Sequence, residues 1–120
     1  MQVNIIEKKA RVSLKDIVKF QILTHCYLNK IALSESELDC LALLSIERPA
    51  EITEFCNKVA ENNIFKSCQT ARNCLAKLEK LGLVVKEGKN KKILHLAEGL
   101  SVHHEGNIVY NVKFGYSAIA

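Results

Sequence analysis

Apolar positions along this chain fall into four stretches of helical spacing, followed by short stretches of alternation. Ahead of them, Val3 and Ile5 alternate weakly within residues 2–6 and predict a short strand. Ser13 opens Ser-Leu-Lys-Asp, a capping-box-like start in which Asp16 can reach back to the Ser13 amide. The helix it begins extends to Ile31 and carries Leu14, Ile17, Val18, Phe20, Ile22, Leu23, Tyr27, Leu28 and Ile31. That arc is wider than one core-facing stripe requires. Two readings account for it: a central helix buried on several sides, or a helix that packs on its own domain and on a second subunit.

Ser34-Glu35-Ser36-Glu37 is the next start signal, with Ser34 as N-cap and Glu37 as the capping-box acid. Leu38, Leu41, Leu43, Leu44 and Ile46 follow, and Glu47-Arg48-Pro49 ends the helix, because proline disfavours helical geometry in the residue before it. Ile52, Phe55, Cys56 and Val59 then make an i, i+3, i+4, i+7 stripe that Asn62-Asn63 breaks. Ser67 is a good N-cap for a fourth helix with a buried face of Ala71, Cys74, Leu75, Leu78 and Leu81, and Gly82 supplies its left-handed end. Leu83-Val84-Val85 and Ile93–Leu96 are strand candidates around the polar, glycine-containing turn Glu87–Lys91. Ile108, Tyr110, Val112 and Phe114 alternate with Val109, Asn111 and Lys113, the pattern of a half-buried strand.

With 120 residues and ordinary apolar and charged fractions, the chain reads as one α+β domain over 1–120. It divides into an N-terminal helix at 13–31, a core at 34–96 and a β-rich tail at 97–120. No apolar run approaches the roughly 20 residues of a membrane span. The charged N-terminus lacks a signal-peptide stretch, so no membrane association and a cytoplasmic location are expected.

Charge changes the picture more than composition does. Between Lys66 and His95, eight basic residues (Lys66, Arg72, Lys77, Lys80, Lys86, Lys89, Lys91, Lys92) face two acidic ones (Glu79, Glu87), a balance of +6. The whole chain is +4, so everything outside this segment sums to −2. Positive charge gathered on one helix and one hairpin suits a surface that meets phosphates. On the fourth helix, Gln69 and Asn73 can pair bidentately with adenine edges, and Ser67 and Thr70 can contact either base type. Lysine and arginine at the margins, Lys66, Arg72 and Lys80 among them, would meet phosphates and set the register.

The five cysteines, Cys26, Cys40, Cys56, Cys68 and Cys74, are odd in number, lack Cys-x-x-Cys spacing and sit mostly at apolar helical positions. They read as reduced core thiols, not as a disulfide framework or a zinc site. His103-His104 reads as a solvated loop pair. No phosphate-binding loop, nucleophile elbow or zinc-protease helix is present, and no two carboxylates form a plausible acid/base pair, so neither an enzyme nor a cofactor is expected.

Residues 34–96 resemble the MarR-like (multiple-antibiotic-resistance regulator) and wider winged-helix families of DNA-binding proteins. LSESELDCLALLSI is similar to their first helix, and CLAKLEKLGLVVKEG to the end of their recognition helix and first wing strand. The resemblance implies a winged helix-turn-helix, a three-helix core plus β-hairpin wing, here with an extra N-terminal helix and a C-terminal strand. It implies that Ser67, Gln69, Thr70, Arg72, Asn73 and Lys77 face DNA, with Lys89, Lys91 and Lys92 at the wing tip. Gly88-Lys89-Asn90 stands where MarR wings commonly carry Asp-x-Arg. The tail reads as loop plus strand where those proteins have long dimerising helices. Two functions follow as expectations: a sequence-specific double-stranded-DNA-binding regulator, acting as a homodimer, or a winged-helix module making protein–protein contacts within a larger assembly.

Overall fold

Among the described residues, serine side chains start three of the four α-helices. In the computed structural model, which describes residues 13–107 together with Val109, Lys113 and Gly115, Ser13 caps α1 (Leu14–Leu28), Ser34 caps α2 (Glu35–Glu47) and Ser67 caps α4 (Cys68–Lys80). The hydroxyl of each accepts the amide three residues on, satisfying one of the orphan donors of the first turn. Ser34 and Glu37 form the full reciprocal box, the Glu37 carboxylate accepting from the Ser34 amide at 2.8 Å. Glu51 does the same work for α3 (Ile52–Glu61), accepting from the Glu54 amide at 2.9 Å. The expected strand at 2–6 lies outside the described residues, as does that at Ile108–Phe114 except for Val109 and Lys113.

Three helices stop on the same device. A left-handed residue after the C-cap lets the next two amides turn back onto the last carbonyls. Gly82 (φ 77°) fills this position after α4, with Leu83 N donating to Leu78 O and Gly82 N to Glu79 O, both at 3.0 Å. Asn63 (φ 57°) and Lys30 (φ 58°) fill it after α3 and α1. α1 therefore ends at Leu28, three residues before the expected Ile31.

Among the described residues the sheet has three antiparallel strands, β1 (Ala50–Glu51), β2 (Val84–Glu87) and β3 (Ile93–Leu96), in the order β1-β3-β2. Ala50 pairs with Leu94 and Val84 with Leu96. β1 was absent from the sequence reading. It is two residues long between a proline and a helix start, too short to show alternation, and it exists because β3 lies beside it.

The helix at the centre is α2, where Leu38, Cys40, Leu41, Ala42, Leu44 and Ser45 are all buried. α1 is one-sided: Val18, Gln21, Ile22 and Cys26 point inward, while Leu23, Tyr27 and Leu28 are each more than half exposed. The reading in which the first helix is buried on several sides is corrected accordingly. The buried side chains of all four helices, of β2 and β3, and of Leu100 and Val102 form one cluster.

Residues 97–104 cross back over α1 and α2 as an extended strap. Leu100 and Val102 are buried in the core. Gln21, on the buried face of α1, makes two hydrogen bonds to His103, its amide donating to the carbonyl at 2.6 Å and its oxygen accepting from the amide at 2.8 Å. Arg48 donates to the Val102 carbonyl at 3.1 Å, and His104 Nε2 lies 3.2 Å from the Ser45 carbonyl. A buried glutamine that pairs both its polar ends with backbone satisfies itself and pins the strap.

Candidate nucleic-acid interface

α4 is built to show one polar face. Ala71, Cys74, Leu75 and Leu78 are buried on the opposite face. At 100° per residue, Gln69, Asn73, Ala76 and Lys80 form the outward stripe, with Thr70 and Lys77 on one flank and Arg72 and Glu79 on the other. Against α4 packs α3, whose buried stripe is Phe55, Cys56 and Val59. Between the two helices, Asn63, Ile64, Phe65 and Lys66 join Thr70 in lining an open groove of about 440 Å³.

The residues singled out from the sequence divide by what already holds them. The Ser67 hydroxyl is used in capping, 3.2 Å from the Thr70 amide and 3.0 Å from the Thr70 hydroxyl. Gln69 donates to Asn73 Oδ1 at 3.0 Å, which leaves the glutamine oxygen and the asparagine amide hydrogens facing outward as an acceptor and donors. Arg72 is half-buried and donates to Thr53 Oγ1 on α3 at 3.0 Å. Lys77 is exposed, but its ammonium lies 2.7 Å from the Glu37 carboxylate of α2. Burial pushes the Glu37 carboxyl upward, and the hydrogen bonds from Lys77 and Ser34 outweigh this and hold it below the ordinary range. Lys66 is exposed beside the start of α4.

The hairpin tip carries Lys89, Lys91 and Lys92, all exposed. Its backbone is demanding: Gly88 sits at φ 85°, ψ −177°, followed by left-handed Asn90 (φ 64°) and Lys91 (φ 51°) in a single 3-10 turn. A side chain at Gly88 would bring its Cβ to 3.2 Å from Ile93 Cγ1. Glycine is the residue that tolerates this conformation.

Helix and hairpin are neighbours in space as well as in sequence. Lys86 on β2 lies 3.8 Å from Glu79 on α4. The Lys92 carbonyl accepts from the Ile52 amide at 2.9 Å, and the adjacent Thr53 is the partner of Arg72. The hairpin root, the start of α3 and the Arg72 flank of α4 are thus contiguous. The segment's two carboxylates are engaged, Glu79 with Lys86 and Glu87 with His95 at 3.4 Å. Among the described residues Lys66, Arg72, Lys80, Lys89 and Lys91 form no salt bridge with a carboxylate, while the charge of Lys92 acts on the Glu51 carboxylate at the start of α3. The sequence places Lys80 on the flank of this helix, whereas at 100° steps from Gln69 it falls on the outward stripe, as does Ala76, which the sequence reading omits.

No family model matches this chain, and no curated protein or solved structure is similar to it at a significant level. Among the described residues, no helix is long and apolar enough to cross a membrane, and no group of three or more His, Cys, Asp or Glu side chains is placed to hold a metal ion.

Proposed function

We propose that the chain is a winged helix-turn-helix domain, akin to the MarR-like and wider winged-helix families, that binds double-stranded DNA in a sequence-specific manner as a small transcriptional regulator. The observation that carries this reading is the set of cations on α4 and the β2–β3 hairpin, most of them without a salt bridge among the described residues, around an outward stripe of amide side chains. The order α2-β1-α3-α4-β2-β3, with β1 paired to β3, supports the fold assignment. An α-helix fits the major groove, about 12 Å wide. The 13 residues of α4 span roughly 20 Å, so Lys66 and Lys80 near its two ends reach the flanking phosphates while Gln69 and Asn73 meet base edges. Ala76, small and central, lets the helix approach closely. The hairpin lysines lie along the adjacent backbone, and binding regulates by occluding the site.

The exposed Leu23, Tyr27 and Leu28 favour a two-fold homodimer through α1. The same apolar face supports the second reading, a module that docks on another protein.

The test is fluorescence anisotropy on a labelled duplex over a range of salt. Changing Lys89, Lys91 and Lys92 to Ala should flatten the slope of log affinity against log salt by about 0.9 for each lysine. Lys77→Ala should leave the slope nearly unchanged, since its charge is already matched by Glu37. Gln69→Ala or Asn73→Ala should cost about 1–3 kcal/mol on a selected site and little on random duplex. A protein that sediments as a monomer and ignores duplex at low salt would instead be the protein-docking module.

A further inference from the structure

Several polar side chains on the outer half of α4 are already committed within the protein. The Ser67 and Thr70 hydroxyls meet at 3.0 Å, Arg72 is tied to Thr53, and Lys77 to Glu37. Gln69 and Asn73 are tied to each other. Both are exposed and stand four residues apart on the outward stripe, with Gln69 Nε2 donating to Asn73 Oδ1 at 3.0 Å.

Two amides joined head to tail are polarised. The free end at Gln69 is a carbonyl oxygen, an acceptor, and the free end at Asn73 is an amide nitrogen with two N–H donors. An amide that clamps one adenine turns both its oxygen and its nitrogen to the same base. Here each side chain has one of those two groups engaged with the other. Ala76, the next residue of the stripe, supplies no polar group to complete either clamp.

We infer, on the DNA-binding reading above, that Gln69 and Asn73 read DNA as one unit that selects a step of two neighbouring base pairs, not one adenine each. Gln69 Oε1 accepts from the exocyclic amine of adenine or cytosine. Asn73 Nδ2 donates to a purine N7, a guanine O6 or a thymine O4 of the neighbouring pair, and disfavours an amine there. The hydrogen bond between the side chains fixes which end accepts. Without Asn73 Oδ1, the Gln69 amide is free to turn over and offer its N–H groups in place of its oxygen. Asn73 therefore reads its own base pair and is a positioning residue for that of Gln69. The pair also steadies the helix slightly, an effect that appears in thermal midpoints and not in base preference.

The test uses the full chain and a duplex selected from a random pool, each base pair of which is then replaced in turn. Affinity is read by fluorescence anisotropy at fixed salt. Asn73→Ala should relax the preference at two neighbouring base pairs, each by about 5- to 150-fold, the worth of a good base contact. Asn73→Asp separates the two roles, because it keeps an oxygen for Gln69 and replaces the outer donor with an acceptor. It should move the preference at one of those pairs towards cytosine, whose N4 amine donates to carboxylates, and leave the neighbouring preference intact. Gln69→Ala, Asn73→Ala and the double variant should weaken binding to the selected site by similar factors, whereas independent contacts would multiply. Losses confined to one base pair in Asn73→Ala, or factors that multiply in the double variant, would overturn the inference and leave sequence-specific binding standing. A parent protein that binds all duplexes equally, or none at low salt, would remove the sequence-specific reading and this inference together.

Discussion

Leu78→Ala beside Lys77→Ala tests the architecture with two adjacent residues that face opposite ways. Leu78 is fully buried, in the same cluster as Leu41, Leu75 and Leu83, and its carbonyl closes the turn after α4 by accepting from Leu83. Truncation to Ala removes three carbons, worth about 2.4 kcal/mol at about 0.8 kcal/mol per buried methylene. The unfilled space adds to this, for a total of about 3–4 kcal/mol. In a domain of this size, a loss of that order lowers the thermal midpoint by roughly 15 °C or more. Lys77→Ala removes a half-exposed side chain and its ion pair with Glu37. Exposed ion pairs contribute about 0.2–1 kcal/mol, and the better helix propensity of Ala offsets part of that. Urea unfolding followed by far-UV circular dichroism reads both, as a shift in midpoint at unchanged slope. Equal losses at the two positions would mean that α4 does not bury the face assigned to it. A Leu78→Ala midpoint indistinguishable from the parent would mean that the α4 core contact is absent.

Two further outcomes follow from particular atoms. Gly88→Ala should destabilise by about 1–3 kcal/mol, because Gly88 holds φ 85° and a new Cβ would crowd Ile93; a thermal midpoint at or above the parent's would refute the tip geometry. Stability should also fall in acid, for the Glu37 and Asp39 carboxyls are both held below their ordinary values: burial raises each, but ion pairing and hydrogen bonding, from Lys77 and Ser34 for Glu37 and from Lys19 and Lys15 for Asp39, outweigh it. The unfolded chain binds protons at higher pH than the folded one, so the contribution is present above the ordinary carboxylate pKa of about 4 and is lost as pH falls through the lower folded values. Glu37→Gln should flatten that acid decline in urea midpoints, and an equally steep decline would remove Glu37 from the account.

The elements that could be read directly from the sequence are those whose signals are local. Ser13, Ser34 and Ser67 mark helix starts because a hydroxyl there satisfies amides only three residues away. Gly82 marks an end because the left-handed turn strains other residues, and Gly88 anchors a hairpin for a related reason. The stripes of α3 and α4 show their buried faces because a 3.6-residue period repeats within one element. Concentrated positive charge at 66–95 is likewise a count along the chain.

Tertiary structure decided what depends on neighbours distant in sequence. Nothing in Ala50-Glu51 announces a strand, which forms only because Leu94 and Ile93 come alongside. The broad apolar arc of the first helix did not say which side would be covered. Packing chose the side that includes Gln21, whose two hydrogen bonds to His103 span 82 positions of sequence, and left Leu23 and Tyr27 outside. Charge counting could not distinguish Lys77, paired with Glu37 of another helix, from Lys80, which has no such partner among the described residues. Periodicity and caps act within a few residues, whereas ion pairs, strand partners and buried polar contacts depend on which surfaces the folded chain brings together.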